Sequence, residues 1–224
     1  MYDALNKGFK LSTGEIMAWL NSDDIYFNDA FSKIIEVFKL FPEVKWLQGI
    51  PTCIDKNHRV VLVNDLKIWS KYDYYLKEYN WIQQESVFWR RELWNKAGGQ
   101  LSESYKYAGD LELWTRFFRY EKLFSARFII SAFRFRGSNQ LSSAYLYDYY
   151  NEANSIIDYE VENIVDETDK KVIARLRNYK KKGKSKSNII RMIYDFLFKK
   201  ELIKLKTSRL EIIFNRDSQQ FEIK

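Results

Sequence analysis

Gly14-Glu15-Ile16-Met17-Ala18-Trp19-Leu20-Asn21-Ser22-Asp23-Asp24 is the stretch that decides the fold. A small turn at Ser12-Thr13-Gly14 leads into an apolar run from Ile16 to Leu20, and two adjacent acids follow. That run is too short for an independent helix. A nearly continuous apolar run bounded by turn residues predicts a strand buried on both faces, as in a parallel sheet. Ligands of open α/β sheets collect beyond the carboxyl ends of the strands, where Asp23 and Asp24 would lie. Two carboxylates side by side suit a hard divalent cation that also grips phosphate oxygens. An acidic turn that caps the next helix is the competing reading, because Ser and Asp favour that role too.

Working outward, residues 3–11 read as a short amphipathic helix with Ala4, Leu5 and Phe9 inward. Apolar residues at 30, 31, 34, 35, 37, 38 and 41 keep helical spacing until Pro42 ends the run. Trp46–Ile50 and Arg59–Val63 read as strands around a turn at residues 55–58, while the aromatic stretch 65–82 carries no period that places it. Phe88 and Trp89 close a strand before a short helix that stops at Gly98-Gly99. Gly109-Asp110 opens another helix, with Leu111, Leu113, Trp114, Phe117 and Phe118 on its buried face. Asp110 falls in its first turn or at its cap, where the helix dipole favours the ionised form. One or two strands are expected in residues 124–135, and a loop at 137–140. The fold class expected is α/β.

The composition shifts after about residue 143. A helical, acidic, Tyr-rich segment precedes a strongly basic one, so 143–182 is expected to form a helical extension. Lys180–Lys186 is the linker candidate, and 183–224 a basic amphipathic tail. Its apolar residues alternate with lysines in a pattern that suits an anionic membrane surface, or equally a helix packed on its own domain with a solvated basic face.

The chain of 224 residues is 46% hydrophobic and 17% aromatic, which argues against general disorder. Its single cysteine, Cys53, excludes an intramolecular disulfide and fits a reducing, cytoplasmic setting. With His58 the only histidine, histidine-rich zinc sites and Ser-His-Asp catalysis elsewhere are excluded. His58 sits in a turn and reads as an exposed bystander. A formal charge of +7 points to anionic partners. No signal-peptide pattern opens the chain, and no stretch reaches the ~20 apolar residues of a spanning helix, so a soluble or peripheral protein is expected.

Three blocks in series carry a family resemblance. They are Tyr2-Asp3-Ala4-Leu5-Asn6-Lys7-Gly8 with Thr13-Gly14-Glu15 and Asn21-Ser22-Asp23-Asp24; Gln83-Gln84-Glu85-Ser86-Val87-Phe88-Trp89-Arg90-Arg91 with Ala97-Gly98-Gly99; and Gly109-Asp110-Leu111-Glu112-Leu113-Trp114. In order and spacing they resemble the family 2 glycosyltransferases of the GT-A fold, in particular bacterial members that build surface polysaccharides. The likeness spans residues 2 to about 142, so 1–142 is expected to be the C-terminal portion of a GT-A domain. It implies a nucleotide-sugar donor, a saccharide or lipid-linked acceptor, and a divalent cation, Mg or Mn. Asp24 would be the metal ligand, with Asp23 on the ribose or sharing the metal. Asp110 matches the general base that takes the proton from the acceptor hydroxyl, and a single displacement inverts the anomeric configuration. Gln84, Trp89 and Trp114 fall where acceptor contacts are expected, with core packing an equal account of the tryptophans. Asn6 matches a position near the donor, or holds a turn.

Two departures stand out. Family members carry several tens of residues before this point, so the donor pocket is expected to be incomplete and the strand at 16–20 to expose an unpaired edge that promotes self-association. Arg136 stands where the family often has a histidine; it can clamp a diphosphate but cannot ligate a metal. The rival reading is a non-catalytic remnant that binds an acceptor or a membrane surface. Nucleic-acid binding rests on charge alone and is not expected.

Overall fold

The computed structural model describes residues 1–77, 82–136, 144–184, 187–206 and 210–224. In chain order the first elements are α1 (Tyr2–Leu11), β1 (Ile16–Met17), β2 (Ile25–Tyr26), α2 (Ala30–Leu40), β3 (Trp46–Gln48), β4 (Thr52–Ile54) and β5 (Val60–Val63). Next come α3 (Lys71–Tyr75), a 3-10 turn at Gln84–Ser86, β6 (Val87–Arg90), α4 (Arg91–Lys96) and α5 (Gly109–Phe118). The remainder is β7 (Phe124–Ala126), β8 (Ser131–Arg134), α6 (Leu146–Glu162), α7 (Glu167–Lys182), α8 (Asn188–Lys206), β9 (Glu211–Asn215) and β10 (Gln220–Ile223). The fold is mixed α/β, with one sheet ordered β1-β6-β3-β7-β9-β10 and a second ordered β2-β8-β4-β5.

Period-two alternation along the central strands builds two cores from the larger sheet. Trp46 of β3 and Val87 and Trp89 of β6 face one core, which α1, α4, α5 and α6 cover. Leu47 and Phe88, the alternate residues, face the other core beneath α2. Trp19, Trp46, Trp89 and Trp114 interlock in the first, with Trp19 stacked on Trp114 at 5.8 Å between ring centroids and edge-on to Trp89 at 5.6 Å. Each such pair adds roughly 0.5–1.5 kcal/mol beyond the area it buries.

Several expectations are corrected. β1 is only two residues long and pairs antiparallel with β6 (Ile16↔Arg90, Met17↔Trp89), rather than running as a parallel strand through Leu20. The chain leaves the sheet after Met17, and the Trp19 carbonyl instead accepts from Gln84 Nε2 (2.6 Å) and Tyr26 Oη (3.3 Å). β1 lies at the sheet edge, but Met17 and Trp19 are buried. The exposed apolar edge is β5, whose four residues all face solvent. In α1 the inward face is Tyr2, Leu5, Asn6 and Phe9, spaced i, i+3, i+4, i+7; Ala4 lies off it and is exposed. The hairpin partner of β5 is β4, in a different sheet from β3.

The expected helices are present: α2 stops at Leu40 ahead of Pro42, and α5 buries Leu111, Leu113, Trp114, Phe117 and Phe118. α4 ends at Lys96, just ahead of Gly98 and Gly99, whose φ of 106° and 65° suit glycine. The loop expected at 137–140 lies outside the described residues, as do residues 185 and 186 of the linker candidate; α7 itself runs through Lys182. The end of the chain is not a basic tail. β9 pairs parallel with β7 (Ser125↔Glu211, Ala126↔Ile212) and carries β10 with it, so residues 211–223 extend the main sheet. Among the described residues no helix is long and apolar enough to cross a membrane.

Candidate active site

The acid pair sits at the entry to β2, and sheet register explains what holds it. β2 pairs antiparallel with β8 (Ile25↔Ala132, Tyr26↔Ser131), and continuing that register sets Arg134 opposite Asp23. The Arg134 backbone N–H donates to Asp24 Oδ1 (2.9 Å), while its Nε donates to the Asp23 carbonyl (2.6 Å). Arg134 Nη1 also reaches the Asp55 carbonyl at 3.1 Å, and Nη2 lies 3.3 Å from His58 Nδ1 at the exposed hairpin turn. Asn21 Nδ2 donates to Asp24 Oδ2 (3.1 Å). Asp24 is buried, and burial raises its carboxyl above the ordinary range, against the Arg134 and Asn21 hydrogen bonds that favour the ionised form. The Asp23 side chain is more open and pairs with Arg136 Nη2 at 3.2 Å.

Among the described residues no group of three or more His, Cys, Asp or Glu side chains converges as a metal cage. A Mg²⁺ ion shared with substrate phosphates needs only one or two protein carboxylates, with phosphate and water oxygens completing its shell. Asp23 and Asp24 supply that number with hard oxygen donors, so the residues fit such an ion.

Asp110 lies in the first turn of α5 rather than at its cap, which is Ala108. The Leu111 N–H donates to Asp110 Oδ1 at 2.8 Å. Burial pushes the carboxyl up to about 6, and that hydrogen bond opposes the rise. The lead-in to the helix is held from outside. Tyr2 Oη accepts from the Gly109 N–H (2.9 Å) and donates to the Tyr107 carbonyl (3.2 Å). Glu152 of α6 accepts from the backbone N–H groups of Lys106 (2.9 Å), Tyr107 (2.8 Å) and Ala108 (2.8 Å). Gly109 is needed for this approach, since a Cβ there would lie 2.5 Å from the Tyr2 ring.

Glu85 is the residue the sequence reading passed over. It is 2% exposed, in the 3-10 turn between the acid pair and Asp110 in the chain. Gln83 Nε2 donates to Glu85 Oε1 and to the Thr52 carbonyl. Burial pushes the Glu85 carboxyl up to about 8; the charge of Asp24, and less strongly that of Asp110, push the same way. Its place inside the Gln83–Arg91 block is the sequence signal that could have found it.

For Asn6 and the two tryptophans among the remaining candidates, the structure matches the structural alternative given beside each functional one. Asn6 is buried and its amide is committed to a loop: Nδ2 donates to the Leu101 carbonyl and Glu103 Oε1 (3.0 Å each), and Oδ1 accepts from the Leu101 N–H (2.8 Å). It holds a turn rather than facing a donor. Trp89 and Trp114 are core residues at 0% and 1% exposure, so neither presents a free ring face for a sugar. Gln84 is buried beside them, bonded to the Trp19 carbonyl. Among the described residues Gln84 Oε1, Trp89 Nε1 and Trp114 Nε1 are buried without a partner. Three orphaned polar atoms grouped around Trp19 are unusual in a packed core.

Residues 1–96 match the family model of glycosyl transferase family 2. No curated protein matches the chain in sequence. Two crystal structures of TarS from S. aureus are similar. One has a TM-score of 0.52 and 15% identity over 84% of this chain and 32% of that one. The other, TarS 1-349, has a TM-score of 0.50 and 13% identity over 92% of this chain and 60% of that one. The chain thus spans about a third and three-fifths of these structures, and the likeness is one of fold.

Proposed function

Taking residues 1–96 as a glycosyl transferase family 2 segment, we propose that the chain serves metal-dependent, inverting transfer of a sugar from a nucleotide-sugar donor to a saccharide or lipid-linked acceptor. The observation that carries this reading is the acid pair at the entry to β2, inside the matched segment, with Asp24 held by Arg134 and Asn21 and Asp23 more open beside Arg136. Asp23 and Asp24 would hold Mg or Mn, which when bound neutralises charge on the departing diphosphate. Arg136, beside Asp23, adds a fixed positive charge suited to the same diphosphate.

Asp110 is the base. With its carboxyl near 6 it is mostly ionised at neutral pH, yet basic enough to take a proton. It accepts the proton of the acceptor hydroxyl as that oxygen bonds to the anomeric carbon and the bond to the diphosphate oxygen breaks. One displacement of this kind inverts the configuration. The role fits surface polysaccharide assembly on the cytoplasmic side of a bacterial membrane.

Calorimetric titration with nucleoside diphosphates, with and without Mn, tests the reading. Metal-dependent binding that weakens at least tenfold in Asp24→Asn and survives in Asp110→Asn is expected, with transfer lost in both. Absence of metal-dependent binding would instead favour a non-catalytic acceptor-binding module.

A further inference from the structure

Helix α8 is apolar on two opposite sides. One side is used inside the protein: Phe198, Leu202 and Leu205 pack with Val172, Ile173 and Leu176 of α7, against Tyr72 and Tyr75 of α3. Arg175 and Glu201 fasten the same side at 2.6 Å. The opposite side carries Ile189, Met192, Ile193, Phe196 and Ile203, which fall on one stripe at i, i+3, i+4, i+7 and i+14. All five are exposed, Met192 at 70% and Phe196 and Ile203 at 64%. Single exposed apolar side chains are ordinary, but a continuous stripe along one helix marks an interaction face.

The charge around the stripe selects the partner. At 100° per residue, Lys200 falls within it, and Lys199 and Lys204 fall to either side; all three are exposed. From residue 180 to 206 the sequence has ten Lys or Arg against two acids. A second copy meeting this face across a two-fold axis would set lysine against lysine in a desolvating contact. An anionic bilayer neutralises the lysines and takes up the apolar side chains at the headgroup boundary.

We propose that the outer face of α8 docks flat on an anionic lipid surface, with Ile189, Met192, Ile193, Phe196 and Ile203 at the headgroup–acyl boundary and the lysines on lipid phosphates. The docking is separate from the transfer chemistry and requires neither donor nor metal.

Flotation of the full chain with phosphatidylcholine vesicles, with and without phosphatidylglycerol, tests it. Binding is expected only with the anionic lipid, and should be lost at about 1 M salt, where screening acts within about 3 Å. At ~1 kcal/mol per surface-bound lysine, Lys199→Gln/Lys200→Gln should weaken partitioning about thirtyfold. Ile193→Ser/Phe196→Ser should weaken it about a hundredfold or more, with unchanged thermal melts because both side chains are exposed. Lys10→Gln/Lys56→Gln, at exposed positions outside α8, should leave binding intact. Failure to bind anionic vesicles would overturn the proposal, as would equal losses in the Lys10/Lys56 control. A dimer in sedimentation that Ile193→Ser/Phe196→Ser dissolves, without vesicle binding, would assign the face to a second copy.

Discussion

Replacing Glu152 tests whether the helical extension holds the Asp110 turn in place. The α5 cap residue is Ala108, which has no side-chain acceptor, so the donors leading into the helix depend on a carboxylate from α6. Glu152 accepts three backbone N–H bonds at 2.8–2.9 Å. Hydrogen bonds to charged groups contribute roughly 1.5–3 kcal/mol each when water cannot substitute. Lys106 is exposed and water will replace its bond; Ala108 is buried and its N–H will be stranded. Tyr107 lies between these cases. Glu152→Ala should therefore cost about 3 kcal/mol, in line with the upper end for loss of a helix N-cap plus one buried donor.

For a chain of this length that corresponds to a fall in Tm of ~6–12 °C. Glu152→Gln keeps an oxygen acceptor but loses the charge that favours a helix N-terminus, and should fall about halfway. Asn151→Ala, at the exposed neighbouring position, serves as the control. Differential scanning calorimetry and urea titration, followed through tryptophan fluorescence, give the stability directly. Trp114 lies one turn beyond Asp110, so its emission also reports the turn itself. A Glu152→Ala shift below about 1 °C, or one equal to that of Asn151→Ala, would refute the reasoning.

Two further outcomes follow from the same geometry. The Glu85 carboxyl is raised from 4.5 to about 8, so the folded state holds a proton that the unfolded state has released across that window. Stability should fall as pH rises from about 4.5 to 8, by at most ~1.4 kcal/mol per pH unit, and Glu85→Gln should flatten the slope in melts recorded across that range. An unchanged slope would remove Glu85 from the coupled acids. Gly109→Ala brings its Cβ to 2.5 Å from the Tyr2 ring and should cost roughly 1–3 kcal/mol, with Tyr2→Leu in the same chain relieving part of the loss. Additive effects in that double-mutant cycle would contradict the contact.

The helices were legible because their apolar residues repeat with the helical period and end at Pro42, Gly98 and Gly99, local signals that need no knowledge of distant partners. The acid pair and Asp110 were legible as candidates for a different reason: they lie in blocks with a family likeness. Pairing was not legible. Nothing local to Ile16–Met17 indicates that β6, about seventy residues later, approaches antiparallel, or that β9 returns from the far end of the chain to pair with β7. Glu85 was missed because a buried acid has the same letter as an exposed one. Its environment is assembled from Thr52, Asp24 and Asp110, none of them neighbours in sequence. For Trp89 and Trp114 the sequence left acceptor contact and core packing equal, because the same indole serves either; only their burial in the folded chain separates the two.

Residues beyond the family-like blocks take part in the framework of the site as well as extending it. Glu152 of α6 supplies the acceptor that Ala108 lacks, and Arg119 of the segment after α5 pairs with buried Glu160 of the same helix. α7 rests on α3 through Val172, Ile173 and Leu176, and Tyr72 donates to Asp169 Oδ1 at 2.6 Å. β9 then closes on β7, the strand beside β3. If the segment after residue 142 were an independent appendage, its removal would leave the preceding residues unchanged. These contacts argue the reverse: cutting there would strand the donors ahead of Asp110 and uncover one edge of β7, so the turn carrying the proposed base depends on chain that its own motif does not contain.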